Sequence, residues 1–372
     1  MAIEYIEDMR SGYTTGSCVA AALKASIIYL QTGHRPQKVA VLNPQDRPIE
    51  VPVAGGSILQ QHESAECWVI KDAGDDPDIT HGTSVYVRVQ LRNDGERVIK
   101  AGEGIGIVTK PGLNIPVGQP AINKGPRVMI EKVFEECLQA EQGLEMIISV
   151  PAGRELAKKT LNPALGIEGG ISIIGTTGIV YPMSEEAFKD SLKPQFEVVK
   201  AAGYKIAVMA PGKIGMEIAE KYKLPVEAMV QTSNFIGFML EQAVRAGFTE
   251  VIIWGHIGKL VKLAGGIFHT HSHIADARQE IFASQLALMG ASSELIAQVL
   301  DCVTTEAIIT LLQNTPYSGV YKQLAEKARK RAEQHVYGEL TVGIVFVSMA
   351  GELLAVDDNA RAIGEKMAWN LK

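Results

Sequence analysis

The sequence predicts two domains: an α+β N-terminal domain over residues 1–142 and an α/β domain with a mostly parallel sheet over residues 143–372. Three observations lead there. At 372 residues the chain exceeds what one ordinary hydrophobic core holds. Short strands crowd residues 38–100, the clearest being the alternating V-Y-V-R-V at 85–89. Beyond about residue 143 apolar runs alternate with helical segments, the rhythm of parallel strands joined by crossover helices.

Composition narrows the class. Hydrophobic residues make up 47% and charged residues 21%, the balance of a globular protein. A net charge of −6 argues against general nucleic-acid binding. The acidic start M-A-I-E-Y-I-E-D reads as no signal peptide, and no run of 18 apolar residues suggests a membrane span. Cys18, Cys67, Cys137 and Cys302 are scattered without a C-x-x-C pair, so they read as reduced thiols of a cytoplasmic protein.

In order along the chain, Thr14, Thr15 or Ser17 caps a helix that starts near Cys18 and ends at Gly33. Its alanines (Ala20, Ala21, Ala22, Ala25) leave it slim enough for close packing, and its N-terminus is a candidate anion site. Strands follow at 39–42, 49–53, 67–71 and 84–91. The loop K-D-A-G-D-D-P-D-I-T-H-G at 71–82 lacks EF-hand spacing and reads as Asx-turn chemistry. Gly102, Gly104 and Gly106 alternate as in a strand edge or bulge, not as in a dinucleotide fingerprint. A helix over 123–142 closes the first domain.

In the second domain, strands are expected at 145–150, 170–175, 205–210, 227–230, 250–255 and 340–347. Several end in glycine or proline turns, at 151–154, 175–178, 211–213 and 255–259. In a parallel sheet such turns gather along one edge, where ligands bind. Gly175-Thr176-Thr177-Gly178 offers close backbone approach and two uncharged hydroxyls. His269, His271 and His273 recur at every second position, which suits proton transfer near neutral pH or, on a strand, a metal. Lys259, Lys262 and Arg278 add positive charge and point to a carboxylate-bearing substrate. A hairpin over 342–357 ends the pattern, with its domain left open.

Four stretches carry a family resemblance: R-S-G-Y-T-T-G-S-C-V-A-A-A, K-D-A-G-D-D-P-D-I-T-H-G, G-G-I-S-I-I-G-T-T-G-I-V-Y-P-M-S and G-H-I-G-K-L-V-K-L-A-G-G-I-F-H-T-H-S. Together, in this order over residues 10–278, the chain resembles the cobalt-precorrin-5B C1-methyltransferases, the CbiD family of anaerobic cobalamin biosynthesis. The resemblance implies a Rossmann-like second domain and methyl transfer from S-adenosylmethionine to C1 of a cobalt-precorrin, giving cobalt-precorrin-6A. Cobalt then travels with the substrate and the protein needs no metal of its own. On that reading Gly175, Thr176, Thr177 and Gly178 contact S-adenosylmethionine. Tyr13, Thr14, Thr15, Ser17, Lys259 and Lys262 face the macrocycle, and His269 and His271 assist proton transfer. A homo-oligomer and hand-over from neighbouring pathway enzymes stay open. So do two other classes: a metal-dependent hydrolase built on the histidines, and a non-catalytic tetrapyrrole-binding protein.

Overall fold

The computed structural model describes residues 9–61, 63–369 and 371. The chain forms two compact units, Met1–Glu186 and Ala187–Lys372. The division therefore falls well after residue 142. The cause is the strand Gly143–Ser149, which pairs antiparallel with Ser84–Arg92 and parallel with Arg97–Ala101. Its inward residues Leu144, Met146 and Ile148 are buried in the first core and not in a second one.

The first unit carries a five-stranded sheet in the order Gly55–Gln60, Ser64–Ile70, Ser84–Arg92, Gly143–Ser149, Arg97–Ala101, with a separate hairpin of Lys38–Leu42 and Pro48–Pro52. The helix Thr15–Thr32 is buried along most of its length. Thr14 caps its start by accepting from Ser17 N–H, and Gly33 ends it in the left-handed region. Small residues let it pack tightly: a Cβ on Gly16 would stand 2.6 Å from Pro126 of the helix Lys124–Cys137.

The stretch expected as a strand of the second sheet at 170–175 lies instead in the first unit. Ile171 and Ile173 make isolated parallel bridges to Ile105 and Ile122, and both are buried in the first core.

The second unit is built on the sheet Met229–Gln231, Ile206–Ala210, Glu250–His256, Thr341–Val347, Leu353–Val356, in that spatial order. The first four strands pair parallel and the last pairs antiparallel. The C-terminal hairpin thus edges this sheet. All five residues of Ile206–Ala210 are buried, as in a strand covered on both faces. Pro194 separates two helices that follow one another directly, Glu185–Leu192 and Pro194–Ala201. Among the described residues, no helix is long and apolar enough to cross a membrane.

Candidate functional site

In the first unit three sequence-distant motifs form one hydrogen-bonded knot. Thr15 Oγ1 donates to Ile174 O at 3.1 Å and accepts from Ile174 N–H at 2.9 Å. Ser17 Oγ donates to Gly178 O at 2.5 Å, and Thr14 N–H donates to the same carbonyl at 3.1 Å. Asn43 and Gln45 donate side-chain N–H groups to Thr177 O and Thr176 O. Gly12–Tyr13 pairs antiparallel with Ile179–Val180. Gly175 needs to be glycine: its φ is +143°, and a Cβ would stand 2.3 Å from Thr14 Oγ1.

The acidic loop serves as a clasp on this knot. Arg10 grips Asp72 through both guanidinium N–H groups and holds its carboxyl at about 2. Asp75 accepts from Arg10 N–H, and Asp76 accepts from Met183 N–H at 2.9 Å. Asp78 receives the buried Lys71 ammonium at 2.8 Å and closes an Asx turn onto Thr80. Burial opposes ionisation of Asp78, but the Lys71 and Thr80 bonds outweigh it and lower its proton affinity. Each of the four aspartates thus has a protein partner, in agreement with the turn reading of this loop.

The knot separates the predicted residues by exposure. Thr14, Thr15 and Ser17 are 8%, 4% and 0% exposed; the hydroxyls of Thr15 and Ser17 bond the backbone of residues 174 and 178, and that of Thr14 caps its own helix at Ser17 N–H. Gly178 is buried too, while Thr176 is exposed and Gly175, Thr177 and Tyr13 are half-buried. Ile174, Tyr181 and Met183 add exposed apolar surface around the same segment.

In the second unit polar side chains gather at the carboxyl ends of the parallel strands. The order places Glu250–His256 and Met229–Gln231 on opposite sides of Ile206–Ala210, so successive connections run out to different sides. That is a topological switch point, where open α/β sheets bind ligands. Three loops meet there. Lys259 Nζ donates to Asn234 Oδ1 at 2.9 Å and to Pro211 O at 3.4 Å. Thr270 N–H donates to Asn234 O, tying the histidine loop to the same point. His256 caps the helix Ile257–Ala264 by accepting from Gly258 N–H at Nδ1. Its Nε2 lies 2.8 Å from Glu306 Oε1, which also accepts from Met349 N–H.

The histidines lie in a loop, not on a strand. Their ring centroids are 6.4 Å apart for His269–His271 and 5.0 Å for His271–His273. His269 packs on Phe235 at 4.9 Å, and His271 Nδ1 accepts from His273 N–H. Among the described residues no group of three or more His, Cys, Asp or Glu is arranged to hold a metal ion. Lys262, expected to face a ligand, is 3% exposed. Its ammonium donates to Ala275 O at 2.7 Å and Thr270 O at 3.2 Å, so it braces the loop from inside. Burial lowers its proton affinity, with Asp276 opposing.

Sequence reasoning did not single out Asn234, His256 or Glu306. His256 had a local signal in its Gly-His-Ile-Gly-Lys turn after a strand. Glu306 had none, since only folding brings it to a residue fifty positions away.

The CbiD family model matches residues 4–182, and that of CbiD, C-terminal domain, matches residues 269–358. The chain is 48% identical over 360 residues to the cobalt-precorrin-5B C(1)-methyltransferase of Moorella thermoacetica, covering 96% of this chain and 98% of that one. It is 46% identical over 363 residues to the protein of that name from Desulfitobacterium hafniense, covering 97% and 93%. To the one from Salmonella typhimurium it is 43% identical over 327 residues, covering 88% and 86%. Of solved structures, the cobalamin biosynthesis protein cbiD from Archaeoglobus fulgidus aligns at 28% identity with a TM-score of 0.38, over 73% of this chain and 84% of that one.

Proposed function

Because the chain belongs to the CbiD family, we propose that it methylates C1 of cobalt-precorrin-5B, with S-adenosylmethionine as donor and cobalt-precorrin-6A as product, in cobalamin biosynthesis. One observation carries this reading: relatives of that name are 42–48% identical over nearly the whole chain. The donor supplies a methyl group on a positively charged sulfur. The electron-rich macrocycle supplies the nucleophilic carbon, so the protein chiefly has to hold two reactants in line. Such positioning contributes about 7–11 kcal/mol in favourable cases.

The second unit is read as Rossmann-like, supported by its parallel strands and switch point, and the protein as cytoplasmic, supported by four free cysteines. Gly175, Thr176 and Thr177 are assigned to the donor, supported by their partial exposure on a braced turn. Gly212, at the start of the helix Lys213–Lys221, is a second candidate donor contact, supported by the lack of any atom within 4 Å of where its Cβ would stand. Within the first unit Tyr13 is assigned to the macrocycle; within the second, Lys259 is assigned to a ligand carboxylate and His269 and His271 to proton transfer. Thr14, Thr15, Ser17 and Gly178 brace the turn within the first unit, and Lys262 braces the histidine loop within the second.

The test is incubation of the purified protein with cobalt-precorrin-5B and methyl-labelled S-adenosylmethionine, followed by mass spectrometry and NMR of the macrocycle. Label at C1 is expected. Macrocycle binding without label would overturn the reading in favour of a tetrapyrrole carrier.

A further inference from the structure

Lys259 stands at the switch-point edge without a counter-ion. Its two acceptors, Asn234 Oδ1 and Pro211 O, are both neutral. Neighbouring cations are compensated: Lys262 Nζ has Asp276 at 3.9 Å, and Lys213 Nζ has Glu217 at 3.8 Å. Among the described residues, no carboxylate lies within ion-pair distance of Lys259. Burial lowers the proton affinity of its ammonium, and nearby Lys262 lowers it further. A partly desolvated cation with only neutral partners is costly unless an anion joins it.

Two buried hydroxyls, one in the histidine loop and one at the start of the helix Thr305–Leu312, also have no partner. Thr270 Oγ1 and Thr305 Oγ1 are unbonded, and each residue is 3% exposed. Thr270 is joined to Asn234 through its backbone. Thr305 borders the first turn of the helix that carries Lys259, its hydroxyl 3.0 Å from where a Cβ on Gly258 would stand. Native interiors rarely leave such groups unpaired unless a water or a ligand completes them.

We propose that Lys259 binds a ligand carboxylate at this edge, its ammonium fixed in place by Asn234 and Pro211. The inference rests on the methyl-transfer reading for the identity of the ligand. One free cation suits a singly charged carboxylate, whereas a phosphate dianion calls for more positive charge than Lys262 can lend from inside the fold. The carboxylate belongs either to a side chain of the macrocycle or to the methionyl part of the donor.

Calorimetric titration of the full chain, wild type and Lys259→Gln, with S-adenosylhomocysteine and separately with cobalt-precorrin-5B distinguishes the two sources. Loss of a charge-assisted contact predicts a drop of about tenfold or more for one ligand. The other ligand stays unchanged, and Lys259→Arg retains most of the affinity. Unchanged binding of both ligands would overturn the assignment. Should Lys259→Gln fail to fold, acetylation of wild-type Lys259 followed by peptide mass spectrometry replaces it, with strong protection by one ligand expected and none by either refuting the idea. Both readouts are independent of turnover. A protein that binds through Lys259 but transfers no methyl group would refute the activity and not the site.

Discussion

Replacing Thr15 with valine tests whether the first-unit knot is structural. Valine keeps the shape of threonine and removes the hydroxyl that meets both the N–H and the C=O of Ile174. The carbonyl keeps Gly16 N–H at 3.0 Å, so the main loss is the partner of Ile174 N–H. Thr15 is 4% exposed, so water does not readily take the place of its hydroxyl. An unsatisfied buried donor costs about 1–3 kcal/mol. In a unit of this size each kcal/mol lowers Tm by about 2–4 °C, which predicts a fall of about 2–12 °C in the transition of the first unit. Thr15→Ser keeps the hydroxyl and is expected to recover most of the loss. Differential scanning calorimetry reads the stability, and titration with S-adenosylhomocysteine reads the donor affinity of the folded variant, expected to be unchanged. A Thr15→Val protein as stable as wild type but weakened in donor binding would make this hydroxyl a ligand contact and refute the argument.

Asp357 is fully buried at the start of the helix Asp358–Lys366, and burial lifts its carboxyl from 3.8 to about 6. Between those values the native state holds more protons than the unfolded chain, so this group's contribution to stability falls as pH rises through the window and is flat above it. The fall is up to about 3 kcal/mol, and Asp357→Asn is expected to lose that slope in urea titrations run from pH 4 to 7. Lys71→Met strands Asp78 without its cation and is expected to cost about 3–5 kcal/mol. A double variant with Asp78→Asn should recover part of this loss in chemical denaturation. Burial pushes the Cys18 and Cys67 thiols up to about 12 and about 11, so thiol labelling of the native protein at pH 8 should reach Cys137 and Cys302 first. Rapid labelling of Cys18 would contradict the packing of its helix.

Much of the local structure was legible before folding, because it depends on neighbours in sequence. Thr14 and Gly33 bound the first long helix through capping and a left-handed glycine, which short-range chemistry dictates. The acidic loop folds back on itself through Asp72 and Asp78 by Asx chemistry encoded at two-residue spacing. The turns after Ile206–Ala210 and Glu250–His256 also lie where apolar runs and glycine or proline place them. Their convergence follows once the strands are parallel.

Sequence alone determined the capped first helix, the main strands of the second sheet, the motifs and the family. It did not determine which sheet claims a strand or whether a polar side chain reaches a ligand. The strand expected at 145–150 in the second sheet joined the first as Gly143–Ser149, because complementary partners stood on both sides and that core took up Leu144, Met146 and Ile148. Lys259 and Lys262 read alike from composition and helical spacing. Tertiary structure turned one into an internal brace and left the other without an anion. The physical reason is that capping and turn chemistry act over a few residues, whereas burial and charge compensation depend on groups brought together from across the chain.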